Sequence, residues 1–136
     1  MKTPWHIWVV GILTLLWDGA GAYTIMMAQA GRLAGLTPDE IAYYSAQPFW
    51  FVVATDVALL GAIAAGVALL ARSRVAVGLF GVSLLAIFVT NVYDLAMGTS
   101  RVFATQGALV VTCIIVVLAI LQFVYSVAMR RRVVLR

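Results

Sequence analysis

Four long apolar runs, none of them interrupted by proline, dominate this sequence of 136 residues. They cover residues 7–28, 49–71, 75–97 and 102–129. Because a helix rises about 1.5 Å per residue, about 20 residues cross a hydrocarbon layer that is roughly 30 Å thick. The runs therefore predict an all-α integral membrane protein in which residues 1–136 form a single domain of four transmembrane helices.

The composition limits the chemistry that the chain can carry. Hydrophobic residues make up 65% of it and charged residues 10%, which is too little polar surface for a soluble domain of this size. Cys113 and His6 are the only residues of their types, so we expect no disulfide, no metal site and no cofactor. The sequence also contains no Gly-rich phosphate loop and no nucleophile elbow, which indicates a protein that is not an enzyme.

A secretory signal peptide is the alternative interpretation of the first run. Lys2 resembles its basic region, and Ala28-Gln29-Ala30 resembles a cleavage site. However, the apolar part of a signal peptide usually has about 7–15 residues, whereas this run is longer and carries Asp18 in its middle. These features favour a transmembrane helix.

Basic residues orient the four predicted spans. Seven of them fall on one side and only Arg32 and Arg101 on the other; the seven are Lys2, Arg72, Arg74, Arg130, Arg131, Arg132 and Arg136. The positive-inside rule then predicts that both termini are cytoplasmic. The net charge of +4 is explained by this topology, so we expect a lipid bilayer and no nucleic acid as a partner. His6 lies beside Trp5 and Trp8, and we expect it to anchor the inner interface.

The loop between the first two spans contains a helix signal. Thr37-Pro38-Asp39-Glu40 combines a capping threonine, a proline at the first helical position and a glutamate three residues after the cap. Because Pro48 disfavours helix at the residue before it, the helix is expected to run from Pro38 to about Gln47. Its tyrosines favour a position at the outer membrane interface, as a connector or as a lid.

Three of the five acidic residues, Asp18, Asp56 and Asp94, lie inside the predicted spans. A carboxylate at membrane depth costs about 3 kcal/mol, so each needs protein or water beside it. Helical projection places the following polar residues at similar depth on the inward faces of spans one, three and four: Asp18, Thr90, Asn91, Asp94 and Gln106. They are candidates for a polar, outward-facing pocket. The alternative is that they only fix helix packing.

The second span carries two unlike faces. One is a strip of small residues that permits close helix packing: Ala54, Ala58, Gly61, Ala62, Ala65 and Gly66. Asp56 projects from the other side, together with Phe49, Leu60, Ile63 and Val67. Both faces therefore need protein or water beside them. We expect a protein partner or a homo-oligomer to contact this span through the strip or through Asp56.

Two stretches carry a resemblance to a known group. Residues 1–13, MKTPWHIWVVGIL, and residues 36–50, LTPDEIAYYSAQPFW, resemble small bacterial four-span inner-membrane proteins that are often loosely labelled sugar transporters. The likeness extends over most of the chain but is specific only in these stretches. It implies a bacterial inner membrane and brings no binding residues with it. This chain departs from the group at its second span, where Asp56 stands in place of a neutral residue.

Two functional hypotheses follow from these patterns. The first is a non-catalytic accessory subunit that packs against a larger membrane protein complex through the second span. The alternative is a transporter of a small polar solute, a cation or protons, working as a homo-oligomer through the pocket centred on Asp18.

Overall fold

The structure is a computed structural model that describes residues 3–97 and 106–136, and the side chains of all of these except residues 106–109. The described residues form helices and no strands. The helices are α1 (Trp5–Gln29), α2 (Pro38–Ser45), α3 (Phe49–Leu70), α4 (Val75–Met97) and α5 (Gln106–Arg131). Within these parts of the chain, all helices but the short α2 are long and apolar enough to cross a membrane. The predicted fold, four such helices and a short helix after the first, is confirmed.

The outside of the bundle is apolar. Leu16, Leu85, Phe88 and Leu121 expose between 56% and 65% of their surface. In water each exposed Å² of this kind would cost about 25 cal/mol, a cost that does not arise in lipid. Small and hydroxylated residues such as Thr14 and Ser83 are among the buried residues, which is typical of helix contacts inside a membrane.

Helix α2 begins with the predicted capping box. The backbone N–H of Glu40 donates to the hydroxyl of Thr37 over 3.3 Å, and the backbone N–H of Thr37 donates to the Glu40 carboxylate over 2.7 Å. These bonds satisfy two donors that the first turn of a helix otherwise leaves free. The helix ends at Ser45, two residues before the predicted Gln47, and α3 starts directly after Pro48.

Helix α3 lies at the centre of the packing, in contact with α1 on one side and α4 on the other. At Gly66 an added Cβ would lie 2.9 Å from Leu15 Cδ2 of α1 and 3.3 Å from Thr14 Cγ2. An added Cβ at Gly11 of α1 would likewise clash with the side chain of Leu70 of α3. On each helix a glycine therefore packs against a leucine of the other helix. These two contacts allow α1 and α3 to approach closely.

The arginine-rich end of the bundle, where α1 begins and α5 ends, is called the basic end below. Here residues 132–136 fold back onto the α3–α4 turn. The backbone N–H of Arg74 donates to the Arg136 carbonyl over 3.0 Å, and the N–H of Arg136 donates to the Arg72 carbonyl over 2.7 Å. Arg72 has a φ of 57°, a left-handed conformation that ends α3 and turns the chain. These bonds place the α3–α4 turn and the C-terminal segment at the same end.

Leu135 is buried at the basic end of the bundle. Its surface is fully buried, and the side chain joins a cluster to which every long helix contributes: Ile7, Ala65, Leu69, Ala76, Phe80 and Met129. The Arg74 guanidinium also donates to the Leu135 carbonyl through Nε over 3.3 Å. Leu135, in the short segment that follows three arginines, is therefore part of the core.

Candidate functional site

Asp18 of α1 is paired with α5. Gln122 Nε2 donates to Asp18 Oδ2 over 3.2 Å, and nearer the basic end Nδ1 of His6 lies 2.6 Å from the hydroxyl of Tyr125. Sequence reasoning named Asp18 but missed Gln122 as its partner. The sequence contains a signal for a polar face on α5. Gln122 and Ser126 are four residues apart in an otherwise apolar run, so both lie on one face of the helix.

Thr90 and Asn91 satisfy their polar groups within α4. The Thr90 hydroxyl lies 3.0 Å from the carbonyls of both Ala86 and Ile87, and Asn91 Nδ2 donates to the Ile87 carbonyl over 2.7 Å. Such bonds to the preceding turn are the usual solution for these side chains in an apolar environment. Asn91 also lines an apolar cavity between α4 and α5, next to Phe88.

Asp94 lies at the end of the bundle that contains α2. We call it the α2 end; it is opposite the basic end. Asp94 Oδ1 accepts a hydrogen bond from the Tyr43 hydroxyl over 3.0 Å. Asp94 is thus bonded to α2, whereas Asp18 is bonded to α5. The side chain of Gln106, the remaining candidate, lies outside the described residues. Helical projection shows which residues share a face but does not show which helix that face will meet.

The small-residue strip of α3 is occupied by the chain itself. Ala58, Ala62, Ala65 and Gly66 are buried, whereas Ala54 and Gly61 are half-buried. The hydroxyl of Ser83 in α4 donates to the Ala58 carbonyl over 2.6 Å, which requires close approach of the two backbones. Helices α1 and α4 of the same chain therefore pack against this strip.

Asp56 is left on the flank of α3 with an unsatisfied oxygen. Its side chain is half-buried, and Oδ1 is buried without a hydrogen-bond partner among the described residues. Val53, Leu60 and Val67 on the same side of α3 are 42%, 50% and 54% exposed. The carboxylate therefore adjoins an apolar surface that the described bundle leaves uncovered.

A cavity of about 370 Å³ opens at the α2 end, between α2 and the adjoining ends of α3 and α4. We call it the α2-end cavity; its lining is Asp39, Ala42, Tyr43, Ala46, Gln47, Pro48, Phe51, Tyr93, Asp94 and Met97. Phe51 is 3% exposed, and its ring centre lies 5.2 Å from that of Tyr93. Trp50 packs edge-on against both rings, with its ring centre 4.8 Å from that of Tyr93 and 5.8 Å from that of Phe51. The three rings therefore form one aromatic cluster.

The electrostatic environment of this cavity is negative. Burial, followed by the charge of Asp94 and the hydrogen bond to it, raises the pKa of Tyr43 far above its ordinary value. Burial raises the pKa of Tyr44 as well, with the charges of Glu40 and Asp94 as further causes. Both phenols consequently stay protonated at neutral pH, and Tyr43 remains a hydrogen-bond donor to Asp94.

The fold and these sites define a small all-helical membrane protein with a cavity at one end of its bundle, lined by two carboxylates and by aromatic and apolar side chains. In the parts of the chain that the structure describes, no group of three His, Cys, Asp or Glu side chains is arranged to hold a metal ion. No family model, no curated protein and no solved structure matches the chain.

Proposed function

We propose that the chain is a non-catalytic accessory subunit that packs the Asp56 side of α3 against another membrane protein. The observation that carries the proposal is the buried, partnerless Oδ1 of Asp56 beside the exposed side chains of Val53, Leu60 and Val67. Leaving a buried acceptor without a donor costs about 1–3 kcal/mol, and lipid tails offer no donor. Oδ1 is covered by the chain itself, so a donor on a neighbouring helix would bond the other oxygen of this half-buried carboxylate and would cover the apolar surface.

The chemistry of Asp56 favours a foreign chain over a second copy. In a symmetric dimer about this surface the two Asp56 carboxylates would approach each other, and like charges at close range repel. A partner with an arginine or an amide on its helix forms a complementary contact. Such a pair fixes the partner and the helix register more than it adds stability.

Gentle purification of the tagged full-length chain from its native membrane tests this proposal. We expect a second protein to co-purify in a stoichiometric amount and to be lost with Asp56→Leu, since leucine removes the carboxylate that the partner would bond. Asp39→Asn, which removes one carboxylate from the exposed first turn of α2, is the matched control and should retain the partner. Size-exclusion profiles of both variants establish that they fold.

A homo-oligomer without any second protein would contradict the accessory-subunit proposal. So would a foreign partner that remains bound to Asp56→Leu at the wild-type ratio, because the partner would then occupy a different surface.

We propose further that the protein lies in a bacterial inner membrane with the basic end in the cytoplasm. The support is the clustering of Arg72, Arg74 and Arg136 at that end, together with the positive-inside rule. In a Cys113→Ala background, single cysteines are introduced by Ser45→Cys on α2 and by Arg132→Cys after α5. An impermeant maleimide added to intact cells should label the first and spare the second until the cells are lysed. Labelling of the second in intact cells would reverse the orientation.

The α2-end cavity supports a second candidate function, the handling of a small solute or cation. Its volume of about 370 Å³ falls within the range of about 300–1,000 Å³ that is usual for ligand sites. Asp94, one of the residues predicted to line the pocket around Asp18, belongs to the lining of this cavity, and Asp18 accepts a hydrogen bond from Gln122. A homo-oligomer would enclose the path across the membrane in that case.

A further inference from the structure

We propose that an anionic phospholipid binds between α4 and α5, with its phosphate at Arg74 and Arg130 of the basic end and an acyl chain in the apolar cavity between the two helices. We call this cavity the α4–α5 groove. The proposal uses neither Asp56 nor the α2-end cavity, so it is independent of both candidate functions.

The α4–α5 groove is apolar and open to the surroundings of the bundle. Its volume is about 440 Å³, and its walls include Leu85 and Phe88 of α4 and Ile120 and Phe123 of α5. Leu85, Phe88 and Ile120 are exposed. Asn91, the one polar side chain in the described lining, donates its amide N–H to its own helix. A hydrocarbon chain therefore suits the whole wall.

The groove lies at membrane depth and is narrow. It extends along α4 from Gly81 to Asn91, which is about 15 Å at the usual helical rise, in the middle of a helix that spans Val75–Met97. A helix about 10–12 Å in diameter would need more than about 1,000 Å³ over that length. The groove therefore has room for a flexible chain, whereas a helix could only lie across its mouth.

Two glycines keep the face of α4 shallow between the groove and the basic end. Gly81 lies in the lining, and Gly78 lies three residues closer to the start of α4. A Cβ at Gly81 would lie 3.4 Å from the ring of Phe123, and a Cβ at Gly78 would meet nothing within 4 Å. This open path leads from the groove to the first turn of α4.

An arginine stands on each helix at the end of this path. Arg74 precedes Gly81 by seven residues, and its carbonyl accepts the N–H of Val77 over 3.2 Å, so it belongs to the first turn of α4. Arg130 follows Phe123 by seven residues on α5. Seven residues are about two helical turns, so each exposed arginine lies on the groove face of its helix, about 10 Å beyond the groove.

The charge at this place favours an anion. The Arg74 guanidinium donates through Nε to the Leu135 carbonyl, so its two Nη groups remain for a ligand. None of the five acidic residues of the chain lies in residues 70–81 or 123–136. Guanidinium groups bind phosphate through paired hydrogen bonds, and basic residues at a membrane surface attract anionic lipids. A zwitterionic headgroup would bring its ammonium group to the same arginines.

Native mass spectrometry of the detergent-solubilised full-length protein tests the proposal. Phosphatidylglycerol and phosphatidylcholine with the same two oleoyl chains serve as matched lipids. We expect the first phosphatidylglycerol to bind at least about tenfold more tightly than the first phosphatidylcholine. An excess of inorganic phosphate should not displace it, because phosphate lacks the chain. Equal affinities of the two lipids, or displacement by phosphate, would overturn the proposal.

A pair of double variants locates the headgroup. Arg74→Gln/Arg130→Gln should reduce the preference for phosphatidylglycerol to less than about twofold. Arg32→Gln/Arg132→Gln removes the same charge elsewhere and should keep the preference, since Arg32 follows α1 and Arg132 lies near Tyr125, on the side of α5 that meets α1. Equal losses in the two double variants would mean that diffuse charge attracts the lipid and would contradict the site.

Arg130→Gln alone provides the test if the double variant does not fold, because it keeps the bond between Arg74 and Leu135. We expect it to lower the preference at least about threefold. An unchanged preference would contradict the role of Arg130.

A phosphatidylglycerol that carries a photoreactive diazirine on its acyl chain locates the chain itself. After illumination of the wild-type protein, peptide mapping should find adducts in residues 81–91 and 116–123, which line the groove. Adducts confined to α1 or α3 would overturn the proposal. So would a protein dimer that leaves no adduct in the groove, because a second copy would then cover this face.

Discussion

Leu135→Ala is expected to lower the free energy of unfolding by about 2–5 kcal/mol, the range observed when leucine is truncated in a close-packed core. Leu135 is fully buried at the basic end, where it contacts a cluster built from all four long helices. Alanine would leave a cavity that the cluster cannot fill, because backbone bonds through Arg72, Arg74 and Arg136 hold the segment in place. Titration with SDS, followed by tryptophan fluorescence, measures the change.

Leu121→Ala is the matched control for this truncation. Leu121 lies on α5 and is 56% exposed toward the surroundings of the bundle, so the same change of side chain should shift the free energy of unfolding by no more than about 0.5 kcal/mol. Equal effects of the two substitutions would mean that Leu135 does not belong to the core of the folded protein.

The membrane helices and α2 are the features that the sequence predicts best. Hydropathy and length place α4 over Val75–Met97 because a span has to cover the whole hydrocarbon thickness, which leaves little freedom in its ends. The capping box at Thr37 predicts the start of α2 because its donors and acceptors lie within four residues of one another. Signals of this kind are local and need no knowledge of neighbours.

Contacts between helices are much harder to predict from one sequence. The small residues around Ala58 and Gly66 indicate close packing, yet they do not reveal that α1 and α4 of the same chain provide the contact. The same difficulty applies to Asp18, whose partner Gln122 lies on a helix more than a hundred residues later in the chain. Nor does a short apolar segment after three arginines indicate that Leu135 is buried. These features depend on tertiary packing, which periodicity does not encode.

Gly66→Leu is expected to separate α1 from α3 and to lower the free energy of unfolding by at least about 2 kcal/mol. Even a single Cβ at this position would lie 2.9 Å from Leu15 Cδ2 and 3.2 Å from Leu15 Cγ, so a leucine has no space unless the helices move apart. Gly11 and Leu70, the reciprocal pair of the same interface, would then lose their contact too. The SDS titration used for Leu135 measures the loss.

Gly78→Leu on α4 isolates the steric cause of this effect. A Cβ at Gly78 meets nothing within 4 Å, so the substitution adds the same side chain without a clash. Leucine is favoured over glycine in a helix by about 1 kcal/mol at either position, and this gain alone should leave Gly78→Leu as stable as the wild type or more stable. Opposite signs for the two variants would identify the α1–α3 approach as the cause, whereas equal losses would contradict the packing at Gly66.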